Sequence, residues 1–324
     1  MKPTLRCAVL DDYQNVAEEY GDWGSLADRI ETTVFNDHVD DRDELIERLR
    51  DFEIVCAMRE RTRFGAEIIN ALPKLQLLVT TGRYNHSIDF AACSARGIPV
   101  CGTGDVHGAA AELTWGLILS LARYIPEEAR DFKDGAKWQP RLGRSLAERK
   151  LGLLGFGRLG QRVARVARAF GMEVLVWSKN ITQSRADSEG AKAADSLDEL
   201  LSNADIVSIH LRLNAETRGL LGARELGLMK PSAFLVNTSR GPIIEEQALI
   251  DAMNENRLAG VALDVFDREP LPFDHPFRSI DRLIGTPHVG FVTEETYRVF
   301  FHDIVENIAC WLDGEPVRVI EARS

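Results

Sequence analysis

The stretch LGLLGFGRLGQRV sets Gly155, Gly157 and Gly160 in a GxGxxG pattern. An apolar run precedes it, and a helical pattern, RLGQRVARVARAFG, follows it. In that setting each glycine has a reason. One makes the tight strand-to-helix turn, the next lets backbone approach a pyrophosphate, and the third lets the helix pack on the strand. The helix N-terminus, with Arg158 and Leu159 in its first turn, then faces the phosphates. The alternative is a tight turn in an α/β protein that binds no nucleotide; the flanking strand and helix favour the dinucleotide. Either way the turn belongs to a βαβ unit, which restricts the chain to α/β architectures.

The remaining pattern fits that restriction. LRCAVL (5–10), TTVF (32–35), EIVCAM (53–58), LQLLVT (75–80) and IPVCG (98–102) read as strands. DRDELIERLRD, GAEIINAL and SIDFAACSARG read as the helices between them. Near-continuous apolar strands alternating with helices predict a parallel sheet covered on both faces. A longer helix, Ala109–Ile125, follows, and DGAKWQPRLGRSLAERK after it reads as a connecting loop or arm. At Leu151 a second series begins, with strands LGLLG, EVLVW, DIVSIH, AFLVNT, GVALDV and RLIGTPH. Ser196 followed by Glu199 predicts a capped helix start. Thr293–Gly314 reads as a final amphipathic helix ended by glycine and free to return to the first series. A chain of 324 residues suits two such domains, since single cores rarely grow past roughly 250–300 residues.

Composition removes several function classes. The formal net charge is −11, without a basic run, which argues against a nucleic-acid partner. The five cysteines are odd in number and form no CxxC pair, so free thiols in a reducing compartment are expected, with no metal site and no disulfide framework. MKPTLRCAVLDD shows no cleavage pattern, and no apolar stretch approaches the roughly 20 residues of a membrane span. These features predict a cytoplasmic protein with no membrane association.

Three later stretches end predicted strands: LVNTSRGP with Arg240, ALDVFDREP with Asp264 and Glu269, and GTPHVG with His288. Ligands bind outside the carboxyl ends of strands in doubly wound sheets, so these side chains can converge beside a hydride carrier. Singly, Arg240 reads equally as a surface ion pair, Glu269 as a turn residue and His288 as a satisfied buried histidine. As a set behind a dinucleotide turn, they read as functional.

LGLLGFGRLGQRVARVARAFGMEV, LMKPSAFLVNTSRGPIIEEQALIDAM, GVALDVFDREPL and TPHVG, in this order, resemble the signatures of the D-isomer-specific 2-hydroxyacid dehydrogenases. The resemblance covers nearly the whole chain. It implies two doubly wound parallel-sheet domains, a Rossmann-type NAD(P)-binding domain (105–292) inserted into a flavodoxin-like substrate domain (1–104 and 293–324). It implies Arg240, Glu269 and His288 as catalytic residues. Physics supports the roles: a planar guanidinium fork binds the carboxylate and carbonyl of a 2-keto acid together, His donates the proton, and a carboxylate beside the imidazole orients it. Asp264, His210 and Thr238 fall among the implied cofactor residues. The substrate loop maps onto TTGRYNHSID, which keeps Gly82 but has Arg83 and Tyr84 in place of smaller residues, with backbone binding near Tyr84 and Asn85. That bulk predicts a smaller or differently shaped pocket. Arg59 and Arg61 are candidates for anionic substrate groups, with surface charge as the alternative. Arg212 stands where many members carry Pro, and nothing in the sequence explains it. The helix Ala109–Ile125 and the Trp138 arm resemble the family's dimerisation region, which implies a homodimer.

The implied activity is hydride transfer between a nicotinamide cofactor and a small 2-keto acid or D-2-hydroxy acid, with glyoxylate or hydroxypyruvate the economical substrates. A phosphoglycerate dehydrogenase-like enzyme is the alternative; the end at Ser324 leaves no room for the regulatory domain of longer members. A nucleotide-sensing corepressor-like binding protein is the alternative from another class, and the acidic composition and lack of long tails weigh against it. EVLVW ends in Ser178, Lys179 and Asn180 where many relatives carry an acid for the ribose of NAD. Without that acid, and with a lysine present, NADP is favoured over NAD.

Overall fold

The computed structural model describes residues 4–321. The chain folds as two compact units, Met1–Val106 with Thr293–Ser324, and His107–Val292. Each is built on a wholly parallel sheet.

The first unit has five strands: β1 (Leu5–Val9), β2 (Ile30–Val34), β3 (Ile54–Ala57), β4 (Leu77–Thr80) and β5 (Val100–Cys101). They lie in the order β2-β1-β3-β4-β5. Every residue of β3 and β4 is buried, as an apolar run covered on both faces requires. Aspartates start two of the connecting helices. Asp41 accepts from the amides of Asp43 and Glu44, and Asp89 from that of Ala92, which satisfies N–H groups that a helix end leaves without partners. The final helix, Glu294–Leu312, buries Phe300, Phe301, Ile304 and Ile308 within this unit. Its Asn307 donates to the carbonyl of Gly102 at 2.8 Å, and Val319 beyond it bridges Cys101 in antiparallel sense.

The second unit has seven strands: β6 (Lys150–Leu154), β7 (Glu173–Trp177), β8 (Lys192–Ala193), β9 (Ile206–Ile209), β10 (Phe234–Asn237), β11 (Gly260–Leu263) and β12 (Leu283–Gly285). Their order is β12-β11-β10-β9-β6-β7-β8. The order reverses beside β6, the strand that feeds the glycine turn, and the next strand in the chain on the far side is β9. This is the doubly wound arrangement of dinucleotide-binding domains.

Three details differ from the sequence reading. The helix expected to reach Ile125 stops at Arg123, where Tyr124 adopts φ 53°, and a separate helix, Ile125–Lys133, follows with Pro126 in its first turn. Pro lacks an amide hydrogen, and at a helix start none is needed there. A short helix, Gln183–Asp187, and the edge strand β8 lie in a stretch that the apolar pattern left unassigned. The capping box at Ser196 is half formed: Ser196 accepts from the Glu199 amide at 3.0 Å, but the Glu199 carboxylate takes the amide of Asp195. No described helix is long and apolar enough to cross a membrane.

Candidate active site

The glycine turn shows which glycines the protein itself needs. Gly155 has φ 98°, and a methyl group there would come within 2.5 Å of the His210 carbonyl oxygen. At Gly160 it would come within 2.4 Å of the Gly155 carbonyl oxygen. Gly157 is different: a methyl group would meet no protein atom within 4 Å, and its φ of −77° suits any residue. No packing demand explains a glycine there, whereas close approach of a ligand to the backbone does. Gly157 also begins the helix Arg158–Ala169, which no side chain caps. Open amides at that end suit a pyrophosphate, so these residues fit a dinucleotide.

The other cofactor candidates surround the ends of these strands. Arg158 donates to Nε2 of His107 at 2.9 Å, and Leu159 packs partly buried beside the core. His210 follows β9, with Nε2 3.0 Å from Ser208 Oγ, and burial pushes its imidazole down to about 4. It is therefore neutral at pH 7. Thr114 donates to the carbonyl of Ala110 at 2.7 Å, so Thr238, 2.8 Å from Thr114 Oγ1, must be the donor of that pair. Ser178, Lys179 and Asn180 follow β7. Lys179 is exposed and paired with Glu216.

Three turns of the second unit carry Arg240, Glu269 and His288. Asn237 closes β10 by accepting from the Ser239 amide at 3.0 Å and donating to the Arg240 carbonyl at 2.9 Å. That places Arg240 in extended backbone, half-buried, with Nη1 donating to the Ser239 carbonyl at 2.7 Å. The next residue, Gly241, abuts the loop after β11. A methyl group on it would stand 2.2 Å from the carbonyl carbon of Phe266, so the Arg240 turn and the Glu269 loop can meet only through glycine.

Glu269 and His288 form one pair. The Glu269 carboxylate accepts from the Phe266 amide at 2.9 Å through Oε1 and lies 2.6 Å from His288 Nδ1 through Oε2. A carboxylate only accepts, so the hydrogen of that contact belongs to Nδ1. The exchangeable nitrogen of His288 is then Nε2. His288 itself has φ 52°, a left-handed conformation that non-glycine residues rarely adopt. Asp264 holds it there. Its buried carboxylate accepts from Thr286 Oγ1 at 2.6 Å and from the amides of Val289 and Gly290 at 2.8 and 2.9 Å. Burial raises the Asp264 carboxyl above its usual range, and those three donors oppose the rise. The Asp264 oxygens thus serve the turn that carries His288. The Phe291 ring meets the imidazole edge to face at 5.5 Å.

The loop candidates of the first unit lie after β3 and β4. Arg59 has φ 51°, and its amide donates to Thr81 Oγ1 at 2.8 Å. Gly82 has φ 85°, and a methyl group on it would collide with the Arg59 guanidinium. Arg83 is exposed. The Tyr84 ring stacks on Phe90 at 5.0 Å and joins the core, so its bulk is directed into packing. The Asn85 side chain is wholly buried, donating to Thr80 Oγ1 at 2.8 Å and to the Arg59 carbonyl while accepting from the Ser87 amide. It fastens one loop to the other. Asn237, Gly241 and Thr286 were missed in the sequence; an Asn at a strand end, which bonds its own backbone, was the available signal.

Comparison with known proteins identifies the family. Residues 115–290 match the model of the D-isomer specific 2-hydroxyacid dehydrogenase NAD binding domain. A D-3-phosphoglycerate dehydrogenase of Methanocaldococcus jannaschii is 36% identical over 276 residues, 85% of this chain and 52% of the relative. The chain thus spans about half the length of the phosphoglycerate dehydrogenases it matches. A glyoxylate reductase of Aeropyrum pernix is 37% identical over 78% of both chains. The crystal structure of a phosphoglycerate oxidoreductase from Vibrio cholerae O395 superposes with a TM-score of 0.91 at 37% identity, covering 96% of this chain and all of that one. The chain belongs to the D-isomer-specific 2-hydroxyacid dehydrogenase family.

Proposed function

We propose that this chain reduces a small 2-keto acid to its D-2-hydroxy acid in the manner of a glyoxylate or hydroxypyruvate reductase. The observation that carries the reading is the Glu269–His288 contact of 2.6 Å, with the carboxylate fixed from behind by the Phe266 amide. It keeps the proton on Nδ1 and leaves Nε2 to deliver one to a nascent alkoxide. Arg240 binds the keto-acid carboxylate and polarises its carbonyl oxygen. A bound nicotinamide supplies the hydride. In this reading residues 105–292 hold the cofactor, and residues 1–104 with 293–324 bind the substrate. Arg59 and Arg83, with the backbone of Gly82, Tyr84 and Asn85, receive its anionic end. A panel of 2-keto acids, followed by loss of reduced cofactor at 340 nm, tests the assignment. Glyoxylate or hydroxypyruvate should give the highest kcat/KM; preference for 3-phosphohydroxypyruvate would move it to the phosphoglycerate class, and turnover of none would favour a binding protein.

For the cofactor we favour NADPH. No acid follows β7 to repel a 2′-phosphate, and Lys179 is at hand. Its pairing with Glu216 is exposed on both sides, and such pairs are worth only about 0–1 kcal/mol, so a phosphate can displace the carboxylate. A charge-assisted contact contributes about 1.5–3 kcal/mol, so Lys179→Ala should weaken NADPH binding roughly tenfold or more and leave NADH nearly untouched. Equal loss for both cofactors in a fluorescence titration would show that this strand end does not read the phosphate.

The same reading includes a homodimer in the cytoplasm. The five free thiols fit a reducing compartment. The helix Ile125–Lys133 buries none of its residues, and Phe132, Trp138 and Leu142 are 73%, 75% and 92% exposed. A second copy is the partner that would cover them. Sedimentation equilibrium at micromolar concentration should give twice the chain mass; a monomer would count against this arm as an interface.

A further inference from the structure

In an open parallel sheet, ligands gather at the strand ends where the order reverses. In the first unit that point lies between β1 and β3. Asp11, two residues past β1, is buried there with φ 57°. Both oxygens of its carboxylate are engaged: His38 Nδ1 lies 2.8 Å from one, and Thr62 Oγ1 donates to the other at 2.6 Å. The Asp11 carbonyl accepts from Arg61 Nη1 at 2.6 Å, and the Arg61 guanidinium lies 4.2 Å from the centre of the Tyr13 ring. One side of the loop after β3 is thus tied to β1. Its other side is tied to the loop after β4 through Thr81 and Asn85. Only a carboxylate can accept at both oxygens, so an amide at position 11 would leave Thr62 or His38 facing a donor.

We propose that Asp11 and His38 are positioning residues: the chain His38–Asp11–Thr62 fixes the loop Met58–Thr62 and thereby sets affinity for the anionic substrate. The proposal rests on the reading that Arg59 receives that substrate. The hydrogen bond to Asp11 raises the His38 imidazole above the usual histidine range against the effect of burial; Asp40 adds to the rise and Arg61 opposes it. The contact therefore keeps an ionic component closer to neutral pH than a solvated histidine would.

The test combines kinetics with hydrogen exchange on the full chain. His38→Ala should raise KM for glyoxylate about tenfold, the size of a charge-assisted contact partly transmitted. It should leave kcat within a few-fold and NADPH affinity, read by fluorescence titration, unchanged. Amides of residues 58–62 should exchange faster. His38→Asn, which places an N–H near the position of Nδ1, should restore most of the KM. Thr62→Val breaks the same chain at constant volume and should move KM and exchange in the same direction, should His38→Ala fail to fold. A lower Tm with unchanged KM and exchange would reduce the pair to a structural role and overturn the proposal. A raised KM without faster exchange would also overturn it, because His38 would then be touching the substrate itself. Should the wild-type protein reduce no 2-keto acid, the assigned reaction falls, and exchange alone decides whether His38 orders the loop: faster exchange sustains that, equal exchange removes it.

Discussion

Replacing His288 by alanine should lower 2-keto acid turnover by about two to four orders of magnitude, the usual contribution of a positioned general acid. Cofactor affinity should stay nearly unchanged, because the glycine turn that fits the phosphates is a separate part of the second unit. The size of the effect follows from how His288 is built into the chain. Its left-handed backbone is held by the buried Asp264 carboxylate, and its ring by Glu269, whose other oxygen is held by the Phe266 amide. The turn from Thr286 to Phe291 carries no other titratable side chain. Single-turnover rates with saturating NADPH check the prediction; a rate within a few-fold of wild type would remove His288 from the proton transfer.

The second large effect is expected at Arg240. Lysine there keeps the charge but loses the planar fork that can engage a carboxylate and a carbonyl oxygen together. Arg240→Lys should therefore raise KM and lower kcat, with a combined loss in kcat/KM of about two to three orders of magnitude, comparable to removing an oxyanion donor. The backbone should tolerate the change, since the turn is shaped by Asn237 and by the contact of Gly241 with Phe266. Steady-state kinetics with glyoxylate and a melting curve separate the two roles. Unchanged kinetics would make Arg240 structural.

The fold class was legible because β3, β4, β9, β10 and β11 are apolar at every position except Thr80, Ser208 and Asn237, and only sheets covered on both faces bury such runs throughout. The glycine turn was legible because its three glycines meet three separate demands. Other features lay beyond pattern. Ile125–Lys133 has no buried face, so periodicity did not mark it as part of a core. The destination of the Tyr84 ring depends on Phe90, a residue on the following helix. The amides that engage the Asp264 oxygens lie far along the chain, which no local spacing reveals. Asp11 and His38 sit in stretches, LDDYQ and NDHVD, that look like solvated charge until β1 and β2 are placed side by side.

In the proposed reaction this chain delivers a hydride to the carbonyl carbon of a 2-keto acid and sets its configuration. The most direct test is incubation with hydroxypyruvate and NADPH carrying deuterium at both positions of the nicotinamide C4, followed by chiral analysis of the product. The expected result is D-glycerate carrying deuterium at C2. L-glycerate, or product without deuterium at C2, would rule that reaction out.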